Sequence, residues 1–221
     1  MKLIDLDKLL PADIPPGERI LWHGRPEWLS LARRAFRADF VAAWFAAATV
    51  WNVGAAAIDS GWGEAAISGA KTAGSGAAAL ALLGLLAWLS ARTSLYVITS
   101  RRVVMKVGIA LPIFFNLPFA TIQSASLRAY SDGSGDIPLA LGQGERIAYL
   151  HLWPHARPFR FSRPEPALRG LGNASEVAGI LARALIALAN EQRAQTAPAM
   201  RESVPRAEKA PNYPKGAVAA A

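Results

Sequence analysis

Two long stretches of the chain carry no charged residue: Phe40 to Ile58, 19 residues, and Thr72 to Ala91, 20 residues. A helix rises about 1.5 Å per residue, so each stretch reaches across a hydrocarbon core about 30 Å thick. Both are rich in alanine, which weakens insertion relative to leucine and leaves a buried helical hairpin in a soluble core as the competing reading. The flanks favour lipid. Arg33, Arg34 and Arg37 precede the first run and Arg92 closes the second, while Trp44, Trp51, Trp62 and Trp88 sit within or beside them, where indole rings suit a headgroup layer. A transmembrane hairpin over 38–92 is expected, with spans at about 40–58 and 72–91.

Orientation follows from the basic residues near the span ends. The connection from Asp59 to Lys71 holds one basic residue and two acids, whereas Arg25, Arg33, Arg34 and Arg37 precede the first span and Arg92, Arg101, Arg102 and Lys106 follow the second. Cytoplasmic loops carry the lysine and arginine excess, so both termini, including the segment 1–37, are expected on that side. Residues 1–16 hold Asp5, Asp7 and Asp13 and lack a continuous apolar core, which reads as an uncleaved chain rather than a signal peptide. A third uncharged run, Val107 to Leu127, contains Pro112, Pro118, Asn116 and Gln123 and alternates in its second half. Prolines interrupt helix hydrogen bonds, so strands are expected there and a third span is the minority reading.

From Thr93 the pattern becomes short β-branched and aromatic runs between turn signals. Leu95 to Thr99, Val103 to Val107, Thr121 to Tyr130, Ile137 to Leu141, Ile147 to Trp153 and Phe159 to Phe161 read as strands. In the fifth of these, Tyr149, His151 and Trp153 share one face at period two, which makes His151 a half-buried structural histidine. Asn173 and Glu176 are spaced as a capping box ahead of Val177, Ile180, Leu181, Ala184, Leu185 and Leu188, which repeat at helical spacing and predict a helix ending near 190. The expected fold class is thus an α+β membrane protein. It has a two-helix hairpin, then a bent antiparallel sheet of six or seven strands over 93–190 closed by a C-terminal helix, a pleckstrin-homology-like plan. Residues 191–221 lose the periodicity and gain Pro198, Pro205, Pro211 and Pro214, the composition of a disordered tail.

Composition narrows the chemistry. The absence of cysteine removes disulfides, thiolate metal sites and cysteine nucleophiles together, and only His23, His151 and His155 remain as imidazoles. No nucleophile, base and orienter set is recognisable, so neither catalysis nor a metal or other cofactor is expected. The net charge of +8 admits nucleic acid, but the basic residues cluster at the span flanks without a recognition helix or stacking strip. Anionic lipid at the cytoplasmic face is the expected electrostatic partner of Arg33, Arg34, Arg37 and Arg92. Arg101 and Arg102, in a hairpin turn, and Trp153 are candidate lipid or partner contacts. Asn52 is the most polar side chain of the first span and should face a helix rather than lipid. Ala43 and Ala47, with Ala73, Ala77 and Ala81, put small residues one turn apart, suited to packing of the two spans, to a homodimer or to a client helix.

Gly17-Glu18-Arg19-Ile20-Leu21-Trp22-His23-Gly24-Arg25-Pro26, the hairpin, and Tyr96-Val97-Ile98-Thr99-Ser100-Arg101-Arg102-Val103-Val104-Met105 together resemble the bacterial pleckstrin-homology membrane proteins. More narrowly, Leu111-Pro112 to Phe119 and Leu152-Trp153-Pro154-His155-Ala156-Arg157-Pro158 make the chain similar to the photosynthetic reaction-centre assembly proteins of purple bacteria. The resemblance covers about residues 14 to 190. It implies a non-catalytic assembly factor of the bacterial inner or intracytoplasmic membrane, with reaction-centre and light-harvesting 1 subunits as partners. The alternative is a generic member of the broader family that binds anionic lipid or another membrane protein.

Overall fold

The computed structural model describes residues 15, 17–142, 148–158, 160 and 164–202. Ahead of the hairpin lie a strand β1 (Ile20–Gly24) and a short helix α1 (Trp28–Arg34). The hairpin itself is α2 (Ala38–Asp59) and α3 (Trp62–Thr93), each long and apolar enough to cross a membrane. Both helices extend past the expected spans, because only Ser60 and Gly61 form the turn and Gly61 takes a positive φ that glycine adopts without strain.

The helices pack through small residues that the composition hides among the alanines. A Cβ on Gly69 would lie 2.6 Å from Val53, and one on Gly76 would lie 2.7 Å from the Phe45 ring, so these glycines allow the close approach. The alanines 43, 47, 73, 77 and 81 are exposed instead, and do not join the two spans. At 32 residues α3 is about 48 Å long against about 33 Å for the 22 residues of α2, so its last turns run on beyond its partner. There Ala87 and Ala91 bury against Leu31, Ala32 and Phe36 of the α1 region, a small second core.

Seven strands follow: β2 (Leu95–Thr99), β3 (Arg102–Val107), β4 (Ile113–Pro118), β5 (Ile122–Ala125), β6 (Arg128–Ala129), β7 (Gly135–Leu141) and β8 (Ala167–Leu171). One antiparallel sheet runs β1-β2-β3-β4. In the other, β7 is central, with β8 on one edge and β5 then β6 along the other. Strand β3 shows why: Val103, Met105 and Val107 are buried while Arg102, Val104 and Lys106 point away, the period-two pattern of a sheet with one inner face. The residues 107–127 are strands and a short 3-10 turn, not a membrane helix.

Helix α5 (Ala174–Glu202) closes the sheets, burying Ala174, Val177, Leu181 and Ala184 against Tyr96, Ile98, Met105, Leu139 and Leu168. It runs beyond the expected end near 190. The rest of the expected tail, 203–221, lies outside the described residues, as do residues 1–14 and, within the expected strand at Phe159 to Phe161, both terminal phenylalanines. Two further expectations are corrected. Strand β1 pairs with β2, so residues 20–24 of the N-terminal segment belong to the sheet module rather than standing apart from it. Of the expected strand Ile147 to Trp153, Ile147 lies outside the described residues and Tyr149–Leu152 form a short helix, α4, because β8 and the β5 and β6 pair already occupy both edges of β7.

Candidate interaction site

The outer surface of α2 is apolar between Asp39 and Asp59, and that of α3 is apolar past Lys71 and Ser75. None of α2 is buried, and Phe40, Trp44, Val50, Trp51 and Ile58 project outward with Trp51 76% exposed. A shallow groove along α2 is lined by Ala46, Ala47, Val50, Trp51, Gly54, Ala55 and Ile58. Asn52 lies on the opposite side, where its amide donates to the Thr72 hydroxyl of α3 at 2.9 Å. It faces a helix as expected, but its partner is the other half of the hairpin.

The four basic residues expected at the cytoplasmic flank converge at one end of the hairpin, because α1 packs on the last turns of α3. Arg33 makes a loose exposed ion pair with Asp39 at 3.7 Å, worth little in water. Arg34 lies over the Tyr130 ring at 4.0 Å and 3.7 Å from Asp132, which ties α1 to the sheet rather than leaving this cation for lipid. Arg37 takes the left-handed conformation that breaks the chain between α1 and α2. Arg92 lies over the Trp88 ring at 5.4 Å.

Arg101 lies in the β2–β3 turn and Arg102 is the first residue of β3, but neither is beside these residues. Strand β2 starts where α3 ends, so its far end, and the turn with it, is the end of the sheet remote from the hairpin. Arg102 is also engaged by Glu18 through two hydrogen bonds, and that guanidinium holds the Glu18 carboxyl below the usual carboxylate range. Trp153 is half-exposed beside the hairpin base, edge-to-face with Phe36 at 5.0 Å.

A buried polar cluster behind this surface went unread in the sequence. His155 is fully buried, its Nε2 2.9 Å from the Ser94 hydroxyl and 3.3 Å from that of Ser90, while Nδ1 meets the Tyr96 hydroxyl. Tyr96 Oη donates to the Arg169 carbonyl, and Arg169 reaches Asp136 and the Pro154 carbonyl. Burial, reinforced by the Arg169 charge, pulls the imidazole down to about 3, so it is neutral at physiological pH. Burial likewise raises the Tyr96 phenol. Ser90 lies in the last turn of α3, Ser94 caps that helix just before β2 and His155 comes from the segment after α4, so the cluster fixes the hairpin's angle to the module. The expected structural histidine is therefore His155; His151 is exposed at the end of α4. Spacing could not have shown this, because the partners of His155 are about 60 residues away.

Among the described residues no group of three or more histidine, aspartate or glutamate side chains could hold a metal. The arrangement offers surfaces for binding: an apolar hairpin, a basic and aromatic collar at its base, and a rigid sheet module below.

Comparison with known proteins agrees with this architecture. The bacterial PH domain family matches residues 41–185. The chain is 38% identical over 199 residues, covering 86% of its own length and 89% of the relative's, to an uncharacterized 23.7 kDa protein in the puhA 5′ region of Rhodobacter capsulatus. No solved structure matches it. By both the extent of the family match and the identity to this relative, the chain belongs to the bacterial PH domain family.

Proposed function

We propose that the protein is a non-catalytic, membrane-anchored assembly factor of the PuhB type. Helices α2 and α3 cross the bacterial inner or intracytoplasmic membrane with both termini cytoplasmic. The protein holds reaction-centre and light-harvesting 1 subunits while those complexes form. The outward face of α2 carries this reading. Leaving a large apolar side chain in water forgoes about 1.5–3 kcal/mol of burial. Phe40, Trp44, Val50, Trp51 and Ile58 together would forfeit roughly as much as the whole net stability of a domain, about 5–15 kcal/mol, and lipid or a client helix removes that cost. The relative's place beside puhA supports a photosynthetic client.

The mechanism has two parts. The groove of α2, with Ala47, Gly54 and Ala55 between larger side chains, accepts a transmembrane helix of the client. The sheet module, locked at a fixed angle by the His155 cluster, meets the client's cytoplasmic segment. Two weak contacts on one rigid body reinforce each other through effective concentration, and release needs the loss of only one. A generic lipid sensor working through Arg101 and Arg102 has less support, since that turn lies at the far end of the sheet and Arg102 is held by Glu18. Deleting residues 93–190 while keeping the hairpin is expected to abolish accumulation of the photosynthetic complex in membranes, read from its near-infrared absorbance. Normal levels with that truncation would overturn the tethering mechanism.

A further inference from the structure

The end of the sheet nearest the hairpin is set by connectivity. Strand β2 leaves the end of α3, with Leu95 paired to Lys106 and Tyr96 to Gly24. The end of β1, the end of β3 and the β3–β4 loop therefore all lie beside the last turn of α3. Three cations converge there: Arg25, Arg92 and Lys106 line one cleft of about 190 Å³ together with Thr93, Leu95 and Gly108. Among the described residues none of the three is in an ion pair; Arg92 lies over the Trp88 ring at 5.4 Å and Lys106 over the Phe114 ring at 5.6 Å, and Glu27 lines a neighbouring cleft with Arg25 and Arg92 without pairing to either.

Three cations with no ion-pair partner among the described residues share one cleft, an arrangement that attracts an anion. The volume falls below the roughly 300–1,000 Å³ of ordinary small-molecule sites, which suits a single phosphate headgroup. The loop that closes the cleft adds the second half of the ligand's chemistry. Gly108, at a φ of +114°, turns the chain so tightly that a Cβ would lie 2.2 Å from the Leu111 carbonyl oxygen. The turn leaves Ile109 exposed and Leu111 80% exposed. Two bare aliphatic side chains beside a cationic cleft at a helix's membrane end match the two parts of a phospholipid.

We infer that Arg25, Arg92 and Lys106 bind the phosphate of an anionic phospholipid while the β3–β4 loop inserts Ile109 and Leu111 among its acyl chains, giving the module a third point of membrane attachment. This inference rests on the membrane reading of the hairpin. The site is separate from the β2–β3 turn and requires the bilayer that the hairpin occupies. The loop follows the site: insertion places the module's end in the headgroup layer, where each removed cation weakens lipid binding about fivefold.

The test uses the full chain, which has no native cysteine, in lipid nanodiscs. Leu111→Cys carries an environment-sensitive fluorophore, and Ala81→Cys, on the exposed face of α3, carries the same label in a second sample. The Leu111 label should shift to an apolar signal in nanodiscs containing phosphatidylglycerol and much less in pure phosphatidylcholine. Arg25→Gln with Arg92→Gln and Lys106→Gln should remove the difference, and Lys106→Gln alone should raise the phosphatidylglycerol fraction needed about fivefold. Inorganic phosphate added to the protein in micelles should leave the label unchanged. A Leu111 label in water in both lipids, a triple variant that behaves as the parent, or a full response to free phosphate overturns the inference. An aqueous Ala81 label would instead overturn the membrane reading beneath it.

Discussion

His155 shows how much one residue can hold. Its two nitrogens meet the end of α3, the first residues of the sheet and, through Tyr96, strand β8. Removing the ring leaves buried hydroxyls short of a partner and opens a cavity, so His155→Ala should cost about 3 kcal/mol in unfolding experiments on micelle-solubilised protein. The same burial makes stability depend on pH. The folded imidazole titrates at about 3 and the unfolded one at its ordinary 6.5, so between these values only the unfolded chain binds the proton. The stabilisation is complete above pH 6.5 and falls by about 1.4 kcal/mol for each unit of acidification towards 3. In His155→Gln that part of the slope should be absent. An unchanged slope would show that the ring is solvated in the folded protein. Asn52 is a milder case: Asn52→Leu should loosen the hairpin by about 1 kcal/mol, since hydrogen bonds between membrane helices are worth about that much. The sequence did reveal Asn52 as a helix-facing side chain, because a lone amide in an apolar run has few other places to go. It did not reveal His155, whose meaning lies in partners brought together only by the completed fold.

At the level of elements, periodicity served where one face of a strand or helix does one job. The alternation of β3 and the heptad-like spacing from Val177 to Leu188 lead directly to their buried faces. The stretch from Tyr149 to Trp153 misled because three aromatic rings at period two look like a strand, while the decision belonged to the edges of β7, already paired. Within the hairpin the alanines drew attention and the glycines did the packing. That distinction is testable. Gly69→Leu and Gly76→Leu drive a side chain into Val53 or Phe45 and should destabilise the hairpin by about 1–3 kcal/mol, measured by denaturation of the purified protein. A Cβ on Gly54 meets nothing within 4 Å, so Gly54→Leu should leave the hairpin intact yet lower the yield of co-purified client subunits. Equal stability losses at all three positions would mean that the helices pack through a different face.

For the whole molecule, the two uncharged runs sufficed to place a hairpin before a sheet module, and the charge distribution sufficed to propose its orientation. The offset between α2 and α3 was invisible, because run length says nothing about how two helices align. Neither could pattern show that β1, on the far side of the hairpin in sequence, completes the sheet. That closure joins both flanks of the hairpin into one body, so hairpin and module should move together. Everything rests on the hairpin lying in lipid with the module on the cytoplasmic side. The most direct measurement is labelling of single cysteines in intact cells with a membrane-impermeant maleimide, which the cysteine-free chain makes free of background. Ser60→Cys, in the turn between α2 and α3, should react from outside the inner membrane, while Ser124→Cys, in β5, should react only after the membrane is opened. Labelling of Ser124→Cys in intact cells, or protection of both until lysis, would contradict the arrangement.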